Sequence, residues 1–276
     1  VKDCAESVED LETDLLLEGV YRRFGHDYRG YRREALKAKL RALMAAMGIG
    51  TISGLQDRVM HDVAASDAML RALSERPAMF FDDPAYFHAL REAMVPWLRS
   101  CPSPRIWLAE CVSAEEVGAL AIMLAEEDLH SKTEIFATAE NEALLQQASE
   151  CSFALDRWAE YEEHYRKCGG KARLADYCQK EKDRAIFSSQ LRSNITWAQY
   201  SLATNASFNE FQLIVCRRAL PDFGTALRRR TLQLFYDSMP LFGLLSVDYT
   251  EELRTAPFGS RYKSIAEGQG LYRRVI

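Results

Sequence analysis

Four charged clusters have the residue types for chemistry. Cys216-Arg217-Arg218 is followed by Asp222, and Phe80-Phe81 runs directly into Asp82-Asp83. Arginine beside carboxylate can clamp an anion, take part in acid–base work or simply pair. A structural network joining Asp82 and Asp222 to Arg217 and Arg218 is favoured over a new acid–base pair, because charge pairs are usually structural. Arg228-Arg229-Arg230 adds planar forks suited to phosphate, although arginines are common on surface helices. Glu115-Glu116 suits ligand binding and the first turn of a helix equally well, through the helix dipole. The histidines His26, His61, His88, His130 and His164 show no metal spacing, so no metal site is expected. Ser188-Ser189 and Ser201 lack the surroundings of an activated nucleophile. Phe80, Phe81, Tyr86 and Phe87 read as core rather than as a stacking platform.

These residues need elements to hold them. Ile106-Trp107-Leu108-Ala109, Ile135-Phe136-Ala137-Thr138, 211–216 and 243–247 are short apolar runs that predict strands. Helical patterns follow them, beginning near Glu115-Glu116, after the cap Asn141, and around Arg228-Arg229-Arg230 with Leu232, Leu234 and Phe235. Strands alternating with helices predict an α/β domain with a mostly parallel sheet, whose ligand crevice lies beyond the strand carboxyl ends. Ahead of it, Leu36, Leu40, Leu43, Met44 and Met47 recur at helical spacing and Gly48-Ile49-Gly50 supplies a stop. Ser66 is expected to cap one short helix and Asp83-Pro84 to open another, with Pro96 and Cys101-Pro102-Ser103-Pro104 breaking the pattern. This places a small helical domain at 1–100 and the α/β domain at 101–276.

The 276 residues are 48% hydrophobic and 27% charged, with a net charge of −5, which suits a folded protein and excludes disorder. That charge is unevenly placed. Residues 1–20 sum to −6 and residues 21–41 to +6. The basic stretch (Arg22, Arg23, Arg29, Arg32, Arg33, Lys37, Lys39, Arg41) predicts an amphipathic helix with a cationic outer face. Two readings are open: a solvated face paired with the acidic leader, or a docking surface for an acidic protein partner. The overall acidity gives no case for nucleic acid. The longest clean apolar run, 117–125, is far short of a membrane span. The seven scattered cysteines form no Cys-x-x-Cys pair and Val1-Lys2-Asp3-Cys4-Ala5-Glu6 is no signal peptide, so a reducing cytoplasm is expected.

Taken in order, Tyr31-Arg32-Arg33, Phe80-Phe81, Arg105-Ile106-Trp107, Glu115-Glu116, Phe136-Ala137-Thr138, Ile214-Val215-Cys216-Arg217 and Gly243-Leu244-Leu245 resemble the CheR-type chemotaxis receptor methyltransferases. The likeness runs from about residue 15 to 275. It implies a small all-helical N-terminal domain before a Rossmann-like methyltransferase domain, with S-adenosylmethionine as cofactor and receptor glutamates as acceptors. Some members carry a small antiparallel insert, which 169–197 (Gly169-Gly170, 171–177 and 184–197) would supply here.

The resemblance also exposes departures. The family's cofactor positions fall on Ala109, Ala114, Glu115, Glu116, Ala139, Glu140 and Ser201. Ala114 replaces a loop glycine, and Ala139 replaces the acid that grips the ribose. Its substrate positions fall on Asp82, Arg217 and Asp222, where Asp82 stands for an arginine and Asp222 for a tyrosine. A clamping arginine exchanged for an aspartate reverses the local field. The expected function is therefore a degenerate CheR-type protein serving as a non-catalytic binding or regulatory module, docking an acidic partner through its basic helix. The alternatives are an active methyltransferase with a rearranged site, and a sensor of nucleotides or other small anions.

Overall fold

The computed structural model describes residues 7–77, 80–248, 250–255 and 257–276. Four helices come first: α1 (Val8–Phe24), α2 (Arg33–Met47), α3 (Ile52–His61) and α4 (Val63–Ser74). Ser7, Thr51 and Asp62 cap α1, α3 and α4 by accepting a backbone N–H. Gly25 and Gly48 end α1 and α2 with φ of 81° and 66°, a conformation that costs glycine nothing. Leu36, Leu40 and Met44 form the buried face of α2, as their spacing predicts. Ser66 is not a cap: it lies inside α4 and donates its hydroxyl to the Val63 carbonyl at 2.8 Å, while Asp62 starts the helix. Asp83 does open α5 (Pro84–Ser100), which passes through Pro96 rather than stopping there.

The α/β part runs β1 (Arg105–Ala109), α6 (Ala114–Glu126), β2 (Glu134–Ala139), α7 (Glu142–Ser149), β3 (Ser152–Ala154), α8 (Trp158–Lys167), β4 (Cys178–Glu181), β5 (Arg184–Phe187), α9 (Ser189–Arg192) and β6 (Ile195–Gln199). It continues with β7 (Leu213–Cys216), α10 (Thr225–Asp237), β8 (Leu244–Val247), β9 (Tyr262–Ala266) and β10 (Leu271–Arg274). The main sheet has the order β6-β2-β1-β7-β8-β10-β9. Its first five strands are parallel; β10 and β9 close one edge antiparallel. A second sheet, β3-β5-β4, is antiparallel throughout. This is a Rossmann-like methyltransferase fold behind an all-helical domain.

Two expectations shift. The insert was placed at 169–197, but its strands lie at 152–154, 178–181 and 184–187, and 195–199 joins the main sheet beside β2. The helical domain was bounded at residue 100, yet α5 packs Leu90, Met94 and Leu98 into one core with Ile106, Leu108 and α6. Alternation along β1 explains the split: Ile106 and Leu108 face that core, whereas Trp107 and Ala109 face a second one. The second core unites the helical domain with the sheet, since Leu36, Leu40 and Tyr31 share it with Trp107, Ile214 and Phe235. Tyr31 bridges to Phe223 with ring centroids 4.9 Å apart, and Tyr28 meets Ser74 at 2.9 Å. The crevice beyond the strand ends is therefore roofed by the N-terminal helices.

Candidate functional site

The first residue beyond β1 is Glu110, in the left-handed region at φ 58°. Any side chain there costs about 1–2 kcal/mol of backbone strain. Its carboxylate is 4% exposed and lies 3.3 Å from Nη1 of Arg76, itself 5% exposed. Arg76 follows α4, on the link between the helices and the sheet domain, and the same Nη1 donates to the Ser74 carbonyl at 2.9 Å. Its Nε and Nη2 are buried and make no hydrogen bond to another protein group. Burial, with repulsion from Glu140, pushes the Glu110 carboxyl up to about 7, while Arg76 pulls it the other way. Sequence reading missed both residues. The signal was present, because Glu110 is a charge at the exit of an otherwise apolar strand, facing the crevice that such sheets use.

The β7 exit extends this network. Asp222 accepts from Lys39 at 2.8 Å and lies 4.0 Å from Nε of Arg76. Asp82 pairs with Arg218, as the favoured network requires. Asp222 does not pair with Arg217 or Arg218, because its loop is pinned to the helical domain through the Arg32 N–H at 2.7 Å. Arg217 instead stacks over the Tyr86 ring at 3.9 Å and donates to the Gln269 carbonyl at 3.1 Å. Arg228 lies inside, paired with Glu252 at 2.7 Å, and Arg230 donates to the Asn205 carbonyl. The arginines that could have gathered around a phosphate point to four different places.

At the β2 exit Ala139 is buried, and its carbonyl accepts from the Tyr200 N–H at 3.0 Å. Glu140 turns toward the helical domain. Its Oε1 accepts from the Asp27 N–H at 3.3 Å and stands 3.6 Å from His26. Gln199, Tyr200, Ser201 and Asn205 join His26 and Glu140 around a polar pocket of about 240 Å³. Ser201 spends its hydroxyl on the Ala203 N–H at 3.3 Å.

On the β1–α6 turn, Ser113 caps α6, Ala114 is buried and Glu115 accepts from Tyr161 at 3.1 Å. Burial pushes Glu116 up to about 7 beside the Cys111 thiol. A second pocket, about 310 Å³, touches Arg76, Ser113, Glu115, Gln147, Ser152 and Arg184. Arg76 lines this second pocket, beside Ala114 and Glu115. Ala109 lines a void of about 30 Å³ with Tyr86, Glu116 and Arg217, room for one water.

The residues expected to dock a partner are mostly paired within the helical domain. Arg33 meets Asp14, Lys37 meets Asp10 and, at 3.6 Å, Glu9, and Arg41 meets Glu9 at 2.6 Å. Arg22 meets Glu18 at 2.6 Å, and Arg29 meets Glu18 and Asp27 at 2.9 Å while covering the Tyr21 ring. Arg23 lies over Phe24, and Arg32 is exposed. Of the basic stretch, Arg33, Lys37, Lys39 and Arg41 are on α2, whereas Arg22 and Arg23 belong to α1. Lys39 turns inward to Asp222. Among the described residues no helix is long and apolar enough to cross a membrane, no group of His, Cys, Asp and Glu could hold a metal, and the cysteines are free; Cys4 lies outside them.

Residues 11–74 match the family model described as CheR methyltransferase, all-alpha domain, and residues 76–265 match CheR methyltransferase, SAM binding domain. The two matches meet at the link that carries Arg76. A Pseudomonas putida protein named "Putative methyltransferase Cher3" is 35% identical over 270 residues, covering 98% of this chain and 99% of that one. A Listeria innocua protein named "Chemotaxis protein methyltransferase" is 25% identical over 257 residues, covering 91% and 95%.

Proposed function

Starting from a chain that belongs to the CheR methyltransferase family, we propose that it has kept the two-domain fold and given up methyl transfer, acting as a non-catalytic regulatory or binding module in bacterial signalling. One observation carries this reading: at the β1 exit Glu110 places a buried carboxylate against Arg76, which itself lines the 310 Å³ pocket beside Ala114 and Glu115. S-adenosylmethionine joins a nucleoside to an amino acid and needs one continuous slot. The residues present do not fit it. Glu110 projects a buried carboxylate from the strand end, and Ala139 offers no side-chain acceptor. Asp82 has spent its charge on Arg218. A fold by itself does not secure the chemistry of its relatives.

One feature favours the alternative of an active methyltransferase with a rearranged site: Glu140, the residue after Ala139, lines the 240 Å³ pocket and could accept hydroxyl donors there. Calorimetry separates the readings. The non-catalytic module binds neither S-adenosylmethionine nor its demethylated product, S-adenosylhomocysteine, up to about millimolar concentration, near −4 kcal/mol. Micromolar binding together with transfer of a labelled methyl group to an acidic protein would sink it.

The reading includes an acidic protein partner on the α1–α2 face. Such a partner would meet Arg23 and Arg32 first and would exchange with Glu9, Asp10 and Asp14 for the remaining cations. Its binding would therefore be weak and strongly dependent on salt.

A further inference from the structure

We infer that Arg76 and Glu110 form an internal latch, a pair through which the chain occupies its own ligand crevice and clasps the helical domain to the sheet. The inference rests on the non-catalytic reading and deepens it. Arg76 sits on the link between the domains, and Glu110 is the first residue past the central strand β1, so the pair spans the seam. Lys39 of α2 and Asp222 of the β7 exit continue it, at 2.8 Å from each other and 4.0 Å from Arg76. His26 and Glu140 face each other at 3.6 Å on the far side of Glu110.

Two features distinguish a latch from ordinary packing. Glu110 takes a left-handed backbone that glycine would adopt without strain, so a charged residue is retained there against its own local preference. Arg76 meets both Glu110 and the Ser74 carbonyl through one atom, Nη1, while Asp222 lies 4.0 Å from its Nε, so one guanidinium engages the β1 exit, the β7 exit and the helical domain together. Arg76, Tyr28 and Tyr31 face Glu110 from the helical side and Glu140 and Cys216 from the sheet, and Arg76 is the cation among them.

Removing both side chains would enlarge the 310 Å³ pocket that Arg76 lines beside Ala114 and Glu115, within the range that holds small ligands. The test is calorimetry with S-adenosylhomocysteine on the wild type and on Arg76→Ser/Glu110→Gly, with circular dichroism and a melt to establish folding. The latch predicts no measurable binding by the wild type and binding at least tenfold above that limit by the variant. Arg76→Met/Glu110→Gln, which keeps the space filled without the charges, should stay silent. Micromolar binding by the wild type overturns the latch, and if that protein also transfers a labelled methyl group from S-adenosylmethionine the non-catalytic reading falls with it. A folded double variant that remains silent, beside a silent wild type, overturns the latch alone. Should that variant give no cooperative melt, Glu110→Gly alone carries the same test, since its backbone suits glycine. Loss of the fold in both also overturns the inference, because a latch can be opened and a keystone cannot.

Discussion

The helical domain is held by two sets of ion pairs that use the same residue types in opposite surroundings. On its outer face, α1 lends Glu9, Asp10 and Asp14 to Arg41, Lys37 and Arg33 of α2, and the Arg41–Glu9 side chains are 62% and 37% exposed. On its inner face, Arg76 and Glu110 meet at 5% and 4% exposure. Water screens the first set, and each such pair is worth little. The second set has paid for desolvation, so removing one partner strands a charge away from water. Charge that looks alike in the sequence is dispensable on one side of the domain and decisive on the other.

The largest expected effect tests that contrast directly. Arg76→Met keeps the space filled and leaves Glu110 a buried carboxylate without its cation; it should cost about 3–5 kcal/mol, or on the order of 10 °C in Tm, above neutral pH. A loss under about 1 kcal/mol in a denaturant melt would place the inner pair with the surface ones and end the comparison.

The two regions should also respond to pH with opposite sign. Burial raises Glu110 and Glu116 to about 7 from 4.5, so the folded state holds their protons more tightly than the unfolded state does. Stability from these groups is full below about pH 4.5 and is lost as the pH rises toward 7. On the outer face Lys37 and Ser7 lower Asp10, and Arg22 and Arg29 lower Glu18. Their contribution is present above the ordinary carboxylate range and disappears as the pH falls through their lowered values. Tm measured from pH 5 to 8 should therefore decline, and Glu116→Gln should flatten the decline by an amount on the order of 2 kcal/mol. An unchanged slope in that variant would show that Glu116 ionises normally in the folded protein.

How much of this was legible follows from what each signal depends on. The strands β1, β2, β7 and β8 stood out because buried parallel strands are short apolar runs, and α2 because its apolar positions repeat every turn. The edge strand β6 reads Ile195-Thr196-Trp197-Ala198-Gln199, half exposed, and was assigned to the insert for want of that apolar signature. The hairpin of β9 and β10 carries Lys263, Ser264, Arg273 and Arg274, with no apolar run to announce it. At the site, the substituted positions Ala139, Asp82 and Asp222 were visible, since a missing acid or a reversed charge can be read from residue types. Their partners were not. Pairing Asp222 with Lys39 joins residues 183 positions apart, and only the docking of α2 on the β7 exit brings them together.

The smallest effect bears on what the cationic face is for. Arg41→Ala removes the bidentate contact to Glu9 but leaves Lys37 beside the same carboxylate. Because both Arg41 and Glu9 remain open to solvent, Tm should move by no more than about 2 °C, and that shift should vanish in about 1 M salt, where the Debye length falls to about 3 Å. A face so weakly bound to its own acids can exchange them for another protein's at little cost. Arg41→Ala should therefore weaken capture of an acidic partner more than it weakens the fold. If instead the substitution destabilises the domain as strongly as Arg76→Met does, the α1–α2 pairs are structural. The difference between the two faces would then lie only in their exposure and not in what they do.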